Sequence, residues 1–273
     1  ENLKPGTTSW ASACNEIREA LEEYSFFEVV YSKPSREFLE EILSSLREVF
    51  HLPAEVKAKN VHPKLGHGYM GKIPGFPEGL GIEYATNKEE CQKFTNLMWP
   101  EGNDSFCYGL EKYYESNAES TIYLLKLLKY GRSRGETNVG FKAHMDKTFL
   151  TLLYQNHVRG LEIKTKDGQW IPYQPSSPAS FAVIAGDVCM AWSNDRIKSS
   201  YHRVIVTGNE DRYALGLFTF LRGVIETPQE LVDDEHPLKY RPFEHEGLLD
   251  FYQASNDPNK RDRNIVKAYC GVN

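Results

Sequence analysis

The chain has 273 residues, of which 40% are apolar and 26% charged, with a formal net charge of −6. That length supports one substantial core with appendages, and an acidic balance excludes the clustered lysine and arginine of a nucleic-acid-binding face. Membrane spanning is excluded too, because no apolar run reaches the required length, and five scattered cysteines without a Cys-x-x-Cys pair suit free thiols in the cytoplasm.

Glu1-Asn2-Leu3-Lys4-Pro5-Gly6 lacks the apolar centre of a signal peptide. Thr8-Ser9 then precedes a helical pattern from Trp10 to Tyr24, with Ala13, Ile17, Ala20 and Leu21 at helical spacing. Phe26 to Tyr31 reads as a short buried strand and Ser35 to Phe50 as a second amphipathic helix. Residues 62–87 form a loop rich in Gly, Pro and aromatics, carrying His67-Gly68-Tyr69 and Pro74-Gly75-Phe76-Pro77. Loops of that length often serve as lids, which makes Tyr69, Met70 and Phe76 candidate substrate contacts. Glu119 to Lys129 reads as helix at its start, turning to strand at its end.

From about residue 140 the hydrophobic period falls to two. Phe149 to Tyr154, Leu161 to Lys166, Trp170 to Tyr173, Phe181 to Ala185, Val188 to Trp192, Tyr201 to Thr207 and Arg212 to Leu221 read as strands punctuated by turns. Pro242 to Tyr252 returns to helix. The expected fold is mainly β with flanking helices: an N-terminal helical region with short strands (1–130), a double-sheet jelly-roll core (131–225) and a C-terminal helical segment (226–273), forming one functional unit. A monomer is expected.

Within the core, His144 and Asp146 share a face if their segment is extended, and His202 alternates with Val204 and Val206. Two imidazoles and a carboxylate are the set that holds ferrous iron and leaves positions open. His-x-Asp alone is weak evidence: an exposed pair at a sheet edge, and a hydrogen-bonded core histidine at 202, explain the same residues. The last strand adds weight. Arg212, Ala214, Gly216 and Phe218 fall on one face, where a buried guanidinium needs an anion and a dicarboxylate supplies one; a surface Asp or Glu is the alternative partner. Phe218 and Lys142 are candidate substrate contacts, set against plain packing for the first and a solvated rim for the second.

These residues resemble the plant 2-oxoglutarate- and iron(II)-dependent dioxygenases. The resemblance runs from His144-Met145-Asp146-Lys147 through Leu150-Thr151-Leu152-Leu153-Tyr154, Asp167-Gly168-Gln169-Trp170, Gly186-Asp187 and Trp192-Ser193-Asn194 to His202-Arg203-Val204 and Arg212-Tyr213-Ala214-Leu215. Outside this core, Phe94-Thr95-Asn96-Leu97-Met98-Trp99-Pro100 and Glu235-His236-Pro237 resemble the AOP-like branch of specialised metabolism. The resemblance implies His144, Asp146 and His202 as iron ligands, and Arg212 as partner of the distal carboxylate of 2-oxoglutarate, with Tyr130 nearby. The implied cofactors are Fe(II), 2-oxoglutarate and O2. The implied activity is hydroxylation, desaturation, cyclisation or dealkylation of a small-molecule metabolite, coupled to formation of succinate and CO2.

Three departures from the family pattern stand out. Ala214 replaces the usual Ser two residues after the arginine, at an expected cost of ~1–3 kcal/mol in co-substrate binding if nothing substitutes for the hydroxyl. Met145 replaces a Thr and is expected to face away from the metal. A long helical stretch is absent between Cys107 and Tyr108, where a missing segment is expected rather than a true deletion. A zinc hydrolase using the same triad, and a non-catalytic jelly-roll binding protein, are the competing functions.

Overall fold

The computed structural model describes residues 4–64, 66–71, 73, 75–103, 121–132, 138–255 and 264–272. The junction of Cys107 and Tyr108, and the first residues of the 119–129 segment, lie outside them.

The first helix, α1 (Thr8–Tyr24), starts where the Thr7 side chain accepts the Trp10 amide, and ends at Ser25 in the left-handed region (φ 57°). Strand β1 (Phe26–Val30) follows, then α2 (Arg36–His51), capped by Ser35, and the single turn α3 (Ala54–Lys57). Next come β2 (Glu78–Glu83), α4 (Lys88–Met98), β3 (Thr121–Tyr130), β4 (Asn138–His144), β5 (Leu150–Gln155), β6 (Leu161–Lys164), β7 (Trp170–Pro172) and β8 (Ser180–Ala185). The chain continues through α5 (Asp187–Trp192), β9 (His202–Val206), β10 (Arg212–Leu221), β11 (Val224–Ile225), a 3-10 turn at Gln229–Leu231, β12 (Phe243–Glu244), α6 (His245–Ala254) and α7 (Ile265–Cys270).

Six strands form the major sheet in the order β1-β8-β5-β10-β3-β2, and four form the minor sheet in the order β4-β9-β6-β7. Every pairing within the two sheets is antiparallel. The two sheets face each other across Leu128, Leu153, Ile184 from the major sheet and Leu161, Ile163, Val204, Val206 from the minor one. This is the expected jelly roll. Helices α2 and α4 cover the outer face of the major sheet over Leu80, Ile82, Leu127 and Tyr213. The major sheet takes half its strands (β1, β2, β3) from the first 130 residues. Among the described residues, no helix is long and apolar enough to cross a membrane.

Three elements differ in type or extent from the sequence expectation, and β1, expected to be buried, is an edge strand with Val29 and Val30 exposed. Val188 to Trp192 is helix, not strand. The first-turn amides of a helix need outside acceptors, and the loop before β5 supplies them: Asp187 N–H donates to the Asp146 carbonyl at 2.8 Å and Val188 N–H to that of Thr148 at 3.2 Å. Thr121–Tyr130 is strand throughout, held by β10 on one side and β2 on the other. Part of the Gly/Pro loop is β2 itself, with Leu80 and Ile82 buried. Gly81 is needed there, because a Cβ would lie 2.0 Å from the His67 carbonyl oxygen.

Beside β2, Lys57 Nζ meets Glu78 Oε1 at 2.6 Å and the Phe50 carbonyl at 3.0 Å, with both charged side chains buried. Breaking such a pair leaves an uncompensated charge. Lys57→Met is expected to lower stability by about 3–5 kcal/mol, measured by urea unfolding; an unchanged midpoint would show that the pair contributes nothing net.

Candidate active site

Antiparallel pairing of β4 with β9 sets His144 directly opposite His202. Irregularities in β4 after Val139 and after Phe141 re-aim the end of that strand, as bulges do. The imidazole centroids lie 4.3 Å apart. Asp146 follows just past the end of β4, and its Oδ1 is 3.5 Å from His144 Nε2 and 3.9 Å from His202 Nε2. One donor atom from each of the three residues falls within 4.8 Å of the others.

The tautomers are fixed by the backbone. His144 Nδ1–H donates to the Lys142 carbonyl at 2.8 Å, and His202 Nδ1–H to that of Ser200 at 3.1 Å. Both Nε2 lone pairs are therefore left for a metal, the arrangement that supporting groups impose on ligating histidines. Thr151 donates to the other Asp146 oxygen, Oδ2, at 2.7 Å, and Thr148 donates in turn to Thr151 at 3.0 Å. Burial works against the Asp146 charge, but His202, His144 and the Thr151 hydrogen bond outweigh it and hold the carboxyl below the usual range. Burial, reinforced by His144, pushes His202 down to about 4, so it is neutral and ready to ligate at pH 7. His245 braces the same loop: its Nε2–H donates to the Lys147 carbonyl at 2.6 Å while Nδ1 accepts the Leu221 amide at 3.0 Å.

These three residues open onto a cavity of about 210 Å³ between the sheets, lined also by Tyr130, Met70, Lys126 and Phe218. Arg212 pairs with Tyr130 across β10 and β3 and stacks on its ring, Cζ 4.7 Å from the centroid. Its guanidinium is 0% exposed. Nη2 donates to Gln155 Oε1 at 2.7 Å, while Nε and Nη1 find no hydrogen-bond partner among the described residues. A buried cation with two unused donors fits a carboxylate. Ala214 is wholly buried beside Leu128 and Gln155, so Gln155 is the polar group that orients the arginine where no serine is present. Gly160 gives the arginine stem room, since a Cβ there would come within 2.9 Å of Arg212 Cδ.

The other candidates divide. Met70 and Phe218 line the cavity. Met145 is also among the residues around the cavity. Tyr69 turns instead toward the buried pair, its hydroxyl donating to Glu78 Oε1 at 2.9 Å. Phe76 packs tilted against Phe141 with ring centroids 5.4 Å apart, and the Phe141 centroid in turn lies 4.1 Å from that of the His144 ring. Lys142 is exposed, packs its stem near Gly75 and is not among the lining residues. Its backbone carbonyl, rather than its ammonium, touches the site. Lys126, Thr151, Gln155 and His245 were not foreseen from the sequence.

A second cluster, His62, His67 and Glu83, also brings three ligand-type side chains together. His62 Nδ1 accepts the Lys64 amide at 3.1 Å, which puts its proton on Nε2, facing Glu83 Oε2 at 3.1 Å. His67 meets the other Glu83 oxygen at 3.2 Å. That arrangement is a hydrogen-bonded strut, because the His62 nitrogen facing the carboxylate carries a proton and has no lone pair to give.

Residues 120–220 match the family model of the 2OG-Fe(II) oxygenase superfamily, and residues 2–101 match that of the non-haem dioxygenase in morphine synthesis N-terminal region. The chain is 37% identical to a probable 2-oxoglutarate-dependent dioxygenase, AOP1, of Arabidopsis thaliana, over 93% of this chain and 94% of the relative. Among solved structures, the rice dioxygenase for auxin oxidation superposes with a TM-score of 0.81 at 24% identity, covering 98% of this chain and 97% of that one. The Arabidopsis thaliana dioxygenase for auxin oxidation 1, in its 2-oxoglutarate complex, gives a TM-score of 0.73 at 27% identity, covering 82% of this chain and 94% of that one.

Proposed function

Because the chain belongs to the 2-oxoglutarate- and iron(II)-dependent oxygenases, in their plant AOP-like branch, we propose that His144, Asp146 and His202 hold the iron. Arg212 anchors the distal carboxylate of 2-oxoglutarate in the same reading. The observation that carries it is the convergence of two imidazole Nε2 atoms, each freed by an Nδ1–H···O=C bond, on one carboxylate oxygen. Bound iron(II) supplies oxygen activation and hydrogen abstraction from the substrate, coupled to oxidative decarboxylation of 2-oxoglutarate to succinate and CO2.

The chain's own groups do the rest. Thr151 keeps one Asp146 oxygen occupied and so directs the other toward the two histidines. Gln155 and the Tyr130 ring fix the guanidinium plane for bidentate pairing. Apolar walls from Leu128, Leu153, Leu161 and Val204 exclude water from the reacting atoms. The substrate is a small-molecule plant metabolite lying between Met70 and Phe218, and hydroxylation, desaturation, cyclisation or dealkylation is the outcome. A monomer acting in the cytoplasm completes the reading, supported by free thiols at Cys14, Cys91, Cys189 and Cys270.

The test is oxygen consumption by purified protein given iron(II), 2-oxoglutarate and a plant metabolite extract. Equimolar succinate formation, together with extract components shifted by one oxygen or two hydrogens, is expected. Zinc-supported hydrolysis without oxygen uptake would overturn it.

A further inference from the structure

Lys126 is a second cation in the cavity, and the chemistry above gives it no task. It projects from β3 on the face that carries Leu128 and Tyr130, and all three line the cavity. Other lysines withdrawn from solvent have a carboxylate: Lys57 has Glu78 at 2.6 Å, Lys129 has Asp211 at 3.1 Å and Lys147 has Asp187 at 2.7 Å. Lys126 has neither a salt bridge nor a hydrogen-bond acceptor among the described residues. Its ammonium sits over the face of Phe218, 4.7 Å from Nζ to the ring centroid. A half-buried lysine with its ammonium on an aromatic face, and no salt-bridge partner among the described residues, is an incomplete recognition site.

The surroundings keep room for a ligand. Gly216 lies opposite Lys126 in the β-register, and a Cβ there would come within 2.5 Å of the Phe218 ring. A Cβ on Gly66 would stand 3.3 Å from Lys126 Nζ. Two glycines therefore let the ring and the ammonium sit where they do.

Charge counting shows what the ligand must carry. Burial pushes the Lys126 ammonium toward its neutral form, and the nearby Asp146 charge pulls the other way. Once iron is held by Asp146 and the two neutral histidines, that carboxylate is committed to the metal. The two charges of 2-oxoglutarate then balance Arg212 and the remaining charge of the iron. Burial, then the Lys126 charge itself, push His67 down to about 4, so it adds no positive charge. Glu83 is held by His62 and His67 and makes no salt bridge with Lys126, so among the described residues Lys126 is left without a direct anionic partner. Its backbone lies four residues of strand, roughly 13 Å, from Tyr130, the register partner of Arg212.

We infer that Lys126 recognises an oxyanion, a carboxylate or a sulfonate, on the prime substrate, whose apolar body rests against Phe218 and Met70. The inference rests on the oxygenase reading above. It makes Lys126 a specificity-determining residue and the substrate class an organic acid.

The test uses protein loaded with iron(II) and 2-oxoglutarate without oxygen, titrated calorimetrically with phenylacetate, phenylmethanesulfonate and phenylacetamide. The wild type is expected to bind at least one of the two anions about tenfold or more tightly than the amide, as a charge-assisted hydrogen bond gives. Lys126→Met should abolish that preference and Lys126→Arg should keep it. Whichever anion is preferred identifies the group. A wild type with no preference, whether all three probes bind or none does, overturns the inference, as does a preference that survives in Lys126→Met. Binding of 2-oxoglutarate is measured alongside: its loss in Lys126→Met would assign the lysine to the co-substrate and overturn the inference while leaving the oxygenase reading intact. A wild type that binds no 2-oxoglutarate removes both.

Discussion

His144→Ala is expected to abolish oxygen-dependent succinate formation and iron retention, with a loss well beyond the ~10–100-fold that removing a supporting residue around a metal ligand causes. The reason lies in how the site is built. Asp146 lies past the end of β4 and is tied down by the Asp187 amide on its carbonyl and by Thr151 on Oδ2. The two histidines are fixed by the β4–β9 register and by their Nδ1 hydrogen bonds. No other described imidazole or carboxylate stands ready to replace a missing ligand, since His67 and Glu83 are tied to each other. Thr151→Val tests the same geometry more gently. It leaves all three ligands but frees Asp146 Oδ2, and iron affinity should fall by ~10–100-fold. Equilibrium dialysis against iron(II), followed by succinate assay, ranks the two variants. Full turnover in His144→Ala would sink the ligand assignment, and an unaltered affinity in Thr151→Val would remove the threonine from it.

Much of this was legible in the sequence, and what was not has one main physical cause. The β10 face of Arg212, Ala214, Gly216 and Phe218 reads from its period of two, and the structure has that strand as read. His144 and Asp146 read as a pair, although the strand ends at His144 and the carboxylate is placed by loop hydrogen bonds instead. The segment Thr121–Tyr130 is apolar enough to fit either period. Read as a helix it leaves Lys126 on a solvated face; read as a strand it aligns Lys126 with Leu128 and Tyr130, inside the cavity. The ambiguity of period therefore hid the lysine. Val188 to Trp192 fits a strand in the sequence for a related reason: short apolar runs carry little period, and the acceptors that start the helix lie about forty residues earlier, at Asp146 and Thr148. Thr151, Gln155 and His245 were hidden because their roles depend on partners brought near only by the fold.

Arg212→Met separates function from stability, and the two are expected to move in opposite directions. The guanidinium is fully enclosed, with Nε and Nη1 unpaired among the described residues, so the protein without co-substrate carries the cost of a buried, half-satisfied cation. Methionine keeps most of the apolar stem that packs on Gly160 and the Tyr130 ring while removing the charge. The melting temperature without 2-oxoglutarate should therefore stay level or rise, as it does when a functional site holds strain or unpaired charge. Co-substrate binding should collapse. Truncating one partner of a buried charge pair costs about 2–5 kcal/mol, which is roughly a 30-fold to several-thousand-fold rise in the Kd for 2-oxoglutarate. Ligand linkage gives a second readout: at 100 times its Kd, 2-oxoglutarate adds about 2.7 kcal/mol to the iron-loaded wild type, and at that same concentration should add little or nothing to Arg212→Met. Gln155→Leu should fall between them, because it leaves the charge but frees the Nη2 contact that orients it. Unchanged 2-oxoglutarate affinity in Arg212→Met would mean that the distal carboxylate is held elsewhere, and would return the role of this buried arginine to packing alone.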